Sequence, residues 1–316
     1  MDNTVLDFEQ QYLRVLKRLY DKLIIAQQIE LVDRDRTGVG TVSEFGVGLK
    51  VPVSFDALPV LRTKFVHIKS VIIELIWMLS GSSNIRYLLE NKVGIWTPNA
   101  YEYNKKRKGF PNIGIEDYTK FILSDPGFAA TYGNLGGVYG AMWRNFKGYG
   151  VSGTGVDQIK NLLLNLKEKP ESRQHMVLAW NPQQVHDVAL PPCHFAFQVH
   201  VKGNKLSMTM YQRSADWFLG VPFNITSYAV LLLLIAQYSG YDPDTLYVQF
   251  GDAHLYSNHL NAAKVQLDRI NMALPGLPKI RFDEIVFKNY LLDAQFEHFM
   301  FGGYDHLGRI SADMAV

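Results

Sequence analysis

The chain has 316 residues, 47% hydrophobic and 20% charged, so it can bury a sizeable core without disulfides or metals. A formal net charge of +2 argues against bulk binding to nucleic acid or to a membrane surface. The single cysteine, Cys193, excludes an intramolecular disulfide and suits a reducing compartment, where it is either inert core or a reactive thiolate.

The N-terminal residues mix charges of both signs around no apolar run, so they do not read as a signal peptide, and a cytoplasmic protein is expected. Residues 8–25 predict a helix, with Tyr12, Val15, Leu16, Leu19 and Leu23 on one face. Asp35-Arg-Thr-Gly-Val-Gly-Thr41 reads as a polar, glycine-punctuated loop. A second helix begins near His67, carries the stripe Ile68, Val71, Ile72, Leu75, Ile76 and Leu79, and stops at Gly81. Residues 97–133 change character: Pro98, Pro111 and Pro126 break the pattern around the basic run 105–108, which predicts a surface insertion with one helix near 116–123. Residues 194–213 predict a β-hairpin turned at Gly203-Asn204, because Phe195, Phe197, Val199 and Val201, then Leu206, Met208 and Met210, alternate with more polar residues. Residues 222–238 predict a helix apolar on nearly all sides, and its longest apolar run, 229–236, is too short to span a bilayer. A strand over 246–250 leads into Gly251-Asp252. With no repeat and no linker, the expectation is one α+β domain over 1–316.

Three places carry chemistry. A lone cysteine is most often a small buried hydrophobe, but Cys193 sits in Leu190-Pro-Pro-Cys-His194, where two prolines fix its approach to a strand. A thiolate there needs a positive neighbour, which Arg213 on the partner strand of the hairpin offers. Glu74 interrupts the apolar run Val71-Ile-Ile-Glu-Leu-Ile-Trp77. It either reaches water at the helix rim or is an acid/base group whose pKa burial raises. In Gly251-Asp-Ala-His-Leu-Tyr-Ser-Asn-His259 the two histidines lack the spacing and partners of a metal site, so no metal is expected. His254 and Tyr256, alternate residues of an extended segment, suit recognition of sugar hydroxyls.

Asp35-Arg-Thr-Gly-Val-Gly-Thr41, Glu74-Leu-Ile-Trp77, Ile95-Trp96, Gly137-Val-Tyr-Gly140, Ser172-Arg173, Pro192-Cys-His194, Gln212-Arg-Ser-Ala-Asp-Trp-Phe-Leu-Gly-Val-Pro-Phe-Asn224 and Gly251-Asp-Ala-His-Leu-Tyr256 together resemble the folate-dependent thymidylate synthases, in order from about Asp35 to Val316. The resemblance implies a mixed sheet flanked by helices, two subunits stacked sheet on sheet, and one-carbon transfer from 5,10-methylenetetrahydrofolate to C5 of dUMP, with no metal. It implies that Cys193 attacks C6 of dUMP, and that Glu74, Tyr139 and His194 move protons around the base and the leaving folate nitrogen. Asp216 matches a carboxylate that binds the pterin and belongs to the catalytic set. Arg36, Arg213 and Ser214 match phosphate ligands, and Arg173 matches one that reaches the phosphate of the partner subunit. Gln212 falls among the substrate-binding residues, Asn224 matches the reader of uracil O4 and N3–H, and His254 and Tyr256 match deoxyribose ligands. Ile95, Trp96, Leu190, Gly220 and Phe223 match the wall around the folate, Lys64 a residue near its glutamate tail, and Ala315, within Met314-Ala-Val316, the closing C-terminus.

The sequence departs from the family pattern at three places. Gln174 follows Arg173 where a second arginine is usual, Thr97 and Asn99 follow Trp96 where many members have aspartate and tryptophan, and the 97–133 segment is longer than in the shortest members. Two products therefore stay open. Hydride capture of the transferred methylene gives dTMP and dihydrofolate, and water capture gives 5-hydroxymethyl-dUMP and tetrahydrofolate, as in the phage-type hydroxymethylases. A nucleic-acid-binding protein on an inactive scaffold is disfavoured by the retained Cys193 and the balanced charge.

Overall fold

The computed structural model describes residues 7–33, 37–148 and 153–315. The first elements in chain order are α1 (Phe8–Gln28), β1 (Thr41–Pro52), α2 (Ile68–Leu79), α3 (Arg86–Glu90), α4 (Thr97–Lys105), α5 (Ile115–Ser124), α6 (Pro126–Tyr132), α7 (Gly140–Arg144) and α8 (Gln158–Glu168). There follow β2 (Met176–Leu178), β3 (His194–Lys202), β4 (Lys205–Asp216), α9 (Gly220–Ser239), β5 (Asp242–Tyr256), α10 (Leu260–Leu267), β6 (Lys279–Phe282) and β7 (Phe299–Gly302). Five strands form a mixed sheet in the order β1-β5-β4-β3-β2, with β5 antiparallel to β1 and parallel to β4. The fold is thus the expected mixed sheet with helices around it.

Two compact units divide the chain, and the division falls inside β3. One consists of Met1–Ile68, Phe197–Arg281 and Met300–Ala315. In it β3 and β4 form the expected hairpin through Gly203 and Asn204. Leu206, Met208 and Met210 of β4 are buried while Ser207, Thr209 and Tyr211 are only half-buried, as period-two alternation requires. Helix α9 packs on β4 and β5. By length and composition it could cross a membrane, but residues 225–236 are all buried within the protein. Each of its fully buried leucines contributes about 2 kcal/mol.

Helix α1 packs on β1 and α10. Its second residue, Glu9, is fully buried and accepts four hydrogen bonds, from Arg62 N (2.8 Å), Arg62 Nε (2.9 Å), Thr63 N (2.7 Å) and Thr63 Oγ1 (2.8 Å). A buried carboxylate is tolerated when its lone pairs are satisfied in this way. The same carboxylate fixes the loop that carries Lys64.

The other unit contains Lys69–Ala196 and Phe282–Phe299. Helix α2 ends before Gly81 as expected, but it is buried on all sides over residues 71–79 rather than along one stripe, and Ile68 is only half-buried. Residues 97–133 hold three helices rather than the one expected. Pro98 and Pro126 lie in the first turns of α4 and α6, where the N–H that proline lacks has no intrahelical partner anyway. Asp125 caps α6 by accepting from Gly127 N (2.8 Å) and Phe128 N (3.0 Å). Tyr101, Phe110, Tyr118, Phe128 and Tyr132 pack ring against ring with centroids 5.0–6.0 Å apart, giving the segment a small aromatic core of its own.

Glu9→Ala leaves Arg62 Nε and the Arg62 and Thr63 amides buried without their acceptor, while the guanidinium keeps Asp7 and Pro275 O. It should lower unfolding stability in urea by about 3–5 kcal/mol, and Glu9→Gln by less. A loss within about 0.5 kcal/mol for the alanine variant, the range of surface substitutions, would show that the network does not hold α1.

Candidate active site

The residues singled out in the sequence fall into two groups, one in each unit. In the unit built on α2, Glu74 is buried, so the rim alternative is excluded. It accepts a hydrogen bond of 2.7 Å from Trp96 Nε1. Burial pushes its pKa up to about 7, and the Trp96 bond opposes that rise. The indole of Trp96 packs against Trp77 (centroids 6.2 Å) and against the edge of Tyr139 (5.6 Å). Tyr139 Oη accepts from the backbone N–H of Cys193 at 3.0 Å. The Tyr139 ring also lies 4.3 Å from the His194 ring. Cys193 itself is half-buried. His194 is buried, and desolvation alone pulls its pKa down to about 3. It is therefore neutral at any working pH and does not supply the positive charge that a thiolate needs.

Local backbone explains how Tyr139 reaches Cys193. Its φ is +38°, in the left-handed region that a bulky residue avoids. The following Gly140 lies so close to α2 that a Cβ there would stand 2.1 Å from Met78 O. Only glycine permits that approach, and the turn into it imposes the unusual dihedral on Tyr139. Ile95 and Leu190 are half-buried, as is Asn99. Thr97 is buried and its hydroxyl makes no hydrogen bond. Arg173 and Gln174 are exposed in the turn before β2.

In the sheet-based unit, Gln212, Ser214 and Asp216 are alternate residues of β4. Gln212 Nε2 donates to Ser214 O (3.0 Å) and to Asn224 Oδ1 (3.1 Å), which orients the Asn224 carboxamide at the start of α9. Arg213, between them, faces Gly251 of β5, where a Cβ would come within 2.8 Å of Arg213 O. Asp216 Oδ1 accepts from Phe218 N and Leu219 N, both at 3.0 Å, and so caps the turn that carries Gly220 and Phe223. Lys64 is buried, donates to Phe218 O and lies 3.7 Å over the Phe218 ring. Desolvation pulls its pKa down to about 7, against the opposing charge of Asp216. On β5, His254 Nδ1 meets Asp252 Oδ1 at 3.0 Å and its ring stands edge-on to Tyr256 at 5.1 Å, the shared face expected of alternate strand residues. Ala315 is half-buried, and Arg36 lies outside the described residues.

Sequence reasoning missed His259, which it weighed only as a metal ligand. The ring is fully buried, 3.7 Å from Asp216 Oδ1 through Nδ1, and bonded to Asp313 O at 2.9 Å through Nε2. Nothing in the local pattern points to these partners, because Asp216 and Asp313 are distant in sequence. Among the described residues no cluster of three His, Cys, Asp or Glu could hold a metal ion.

The family model described as thymidylate synthase matches residues 10–316. The thymidylate synthase of Mycoplasma mobile is 43% identical over 85% of this chain and 88% of its own length. That of the aster yellows witches'-broom phytoplasma is 40% identical over 83% of this chain and 91% of its own. That of Mycoplasma pneumoniae is 39% identical over 89% and 93%. The chain belongs to the thymidylate synthase family.

Glu74 has a folded pKa above its unfolded value, so the native state binds more protons between pH 4.5 and about 7 and loses stability as pH rises through that window. Glu74→Gln removes this loss. The variant should gain up to about 3 kcal/mol relative to wild type on going from pH 4 to pH 8. Trp96→Phe should push the Glu74 titration higher still, seen in the carboxyl infrared band. Equal pH slopes in wild type and Glu74→Gln would mean that Glu74 is not a buried titrating acid.

Proposed function

We propose that the protein transfers a one-carbon unit to C5 of dUMP and reduces it, giving dTMP and dihydrofolate. The observation that carries this reading is the family match over residues 10–316; the resemblance of Pro192-Cys-His194 to the family motif is what points to Cys193 as the nucleophile. C5 of a uracil ring is a poor nucleophile until a thiolate adds at C6, which makes C5 enolate-like. Cys193 forms that bond. Its backbone is held by Tyr139, so the sulfur starts from a fixed place. Glu74, poised near neutrality, gives and takes the proton at the C4 side of the base.

Recognition of the nucleotide falls to Arg213, Ser214 and Arg36 at the phosphate, and to His254 and Tyr256 at the sugar. Asn224, oriented by Gln212, donates and accepts along the uracil edge. The protein acts as a homodimer in the cytoplasm, with Arg173, an exposed residue, reaching the partner's phosphate.

When bound, 5,10-methylenetetrahydrofolate supplies the methylene and then the hydride. The residues present fit such a ligand: beside the Trp96 indole, the buried Thr97 hydroxyl lacks a hydrogen-bond partner and would gain one. Ile95, Trp96, Leu190, Gly220 and Phe223 provide apolar and backbone contacts, Asp216 an acceptor for the pterin and Ala315 part of the closure. Lys64, being buried against Phe218, acts on the folate tail only if it turns outward. Exclusion of water by the apolar residues favours hydride over hydrolysis.

Purified protein given dUMP and methylenetetrahydrofolate should form dTMP and dihydrofolate in equal amounts, followed by absorbance and by mass spectrometry of the nucleotide. Cys193→Ser should still bind dUMP but lose turnover by far more than about tenfold, because no adjacent base ionises the hydroxyl. Formation of 5-hydroxymethyl-dUMP without dihydrofolate would replace this reading by the hydroxymethylase.

A further inference from the structure

We propose that Asp252 decides which nucleotides the sugar subsite accepts: it fixes His254 as a hydrogen-bond acceptor, so that a free 3′-hydroxyl is taken and an ionised 3′-phosphate is refused. The inference deepens the reading above, in which His254 and Tyr256 meet the sugar of dUMP, and it rests on that reading.

Strand β5 sets the geometry. Ala253 and Leu255 are fully buried, so Asp252, His254 and Tyr256 share the opposite face. In register, Asp252 lies across from Ser214 and His254 from Asp216, which puts this face beside the ligand-binding residues proposed on β4. The main chain of His254 is pinned, because its carbonyl accepts from Trp217 N at 2.9 Å. Its ring stands edge-on to Tyr256, with centroids 5.1 Å apart and planes at 86°. Only 11% of the His254 side chain is exposed. Nδ1 meets Asp252 Oδ1 at 3.0 Å, and Nε2 makes no hydrogen bond among the described residues.

Hydrogen accounting gives the pair its effect. A carboxylate only accepts, so the contact with Asp252 requires the ring hydrogen on Nδ1. The neutral ring then presents Nε2 as a lone pair, and it does so because of what Nδ1 is bonded to. A sugar hydroxyl can donate to that lone pair. An ionised phosphate or a fluorine at the same carbon can only accept, and meets lone pair with lone pair. The subsite thereby takes a nucleoside 5′-monophosphate and turns away a nucleotide esterified at its 3′-oxygen, as it is within a nucleic-acid strand. Asp252 touches no reacting atom in this scheme; it is a positioning residue that acts through His254.

Nitrogen-15 NMR of wild type should find His254 neutral with its hydrogen on Nδ1, and Asp252→Ala should move the hydrogen to Nε2. The Nε2–H form or the imidazolium in wild type at neutral pH would overturn the proposal, as would an unchanged tautomer in the variant. Asp252 is half-exposed, so the substitution spares the core. Should Asp252→Ala not fold, Asp252→Ser, whose side chain is too short to hold Nδ1, serves with the same expectations.

Binding is then measured by calorimetry without folate, for dUMP, 3′-deoxy-3′-fluoro-dUMP and deoxyuridine 3′,5′-bisphosphate. Both analogues should bind wild type at least about tenfold more weakly than dUMP, and Asp252→Ala should narrow each gap severalfold. Taking the ratio to dUMP cancels any change at the shared 5′-phosphate. Gaps that stay as wide would mean exclusion by size, and a narrower gap for the bisphosphate alone would mean repulsion by charge. Either result overturns the role given to the His254 tautomer. Wild type that binds dUMP in this pattern without converting it removes the proposed function and leaves the inference standing. Wild type that binds no dUMP overturns both.

Discussion

Removal from water acts on Glu74, His194 and Lys64 in the same sense, favouring whichever form carries no charge. Burial raises Glu74 to about 7 and lowers His194 to about 3 and Lys64 to about 7. The signs differ because one group is an acid and two are bases, but the cause is one. Around Cys193 this leaves a shell in which His194 is uncharged and Glu74 changes charge near neutrality; Lys64 changes charge in the same range in the other unit. His194 packs its ring against Tyr139.

The geometry of that shell is held by backbone constraint more than by side-chain bonds. Tyr139 keeps a left-handed φ because Gly140 is pressed against α2, and a strained residue of this kind costs of order 1–3 kcal/mol that the surrounding packing must offset. The return is a tyrosine hydroxyl aimed at the amide of Cys193, which fixes the main chain of that residue rather than its sulfur. The sheet-based unit uses hydrogen-bond relays for the same purpose. Gln212 orients Asn224, and the two amides after Trp217 orient Asp216.

Periodicity made the long elements legible: α1, α2, the β3–β4 hairpin and α9 all follow from spacing, because burial of one face, or of all faces, leaves its mark on every residue. Of the helices in residues 97–133, α5 matches the one expected near 116–123, but α4 and α6 did not follow. Their prolines were read as breakers, whereas proline in a first turn starts a helix, and the packing of Tyr101 on Tyr118 joins residues that no local window relates. Much of the candidate site was legible as chemistry, Cys193 and Glu74 from their incongruous neighbours and the rest through resemblance. What stayed hidden were tertiary pairings. Trp96 with Glu74, Gln212 with Asn224 and His259 with Asp313 each join separate elements, and a hydrogen bond between distant residues has no sequence period.

Those pairings leave a residue of unmet polar capacity. Among the described residues four buried side-chain atoms lack a hydrogen bond: Thr97 Oγ1, Gln212 Oε1, His259 Nδ1 and Ser239 Oγ. Ser239 ends α9, where Gly240 caps the helix. The other three each stand next to a residue assigned to ligand binding: Thr97 beside Trp96, Gln212 on Asn224, His259 facing Asp216. An unsatisfied buried polar atom costs about 1–3 kcal/mol. A core selected for stability alone would exchange such atoms for apolar ones. Their retention at these three positions fits the ligand contacts proposed for the neighbouring residues.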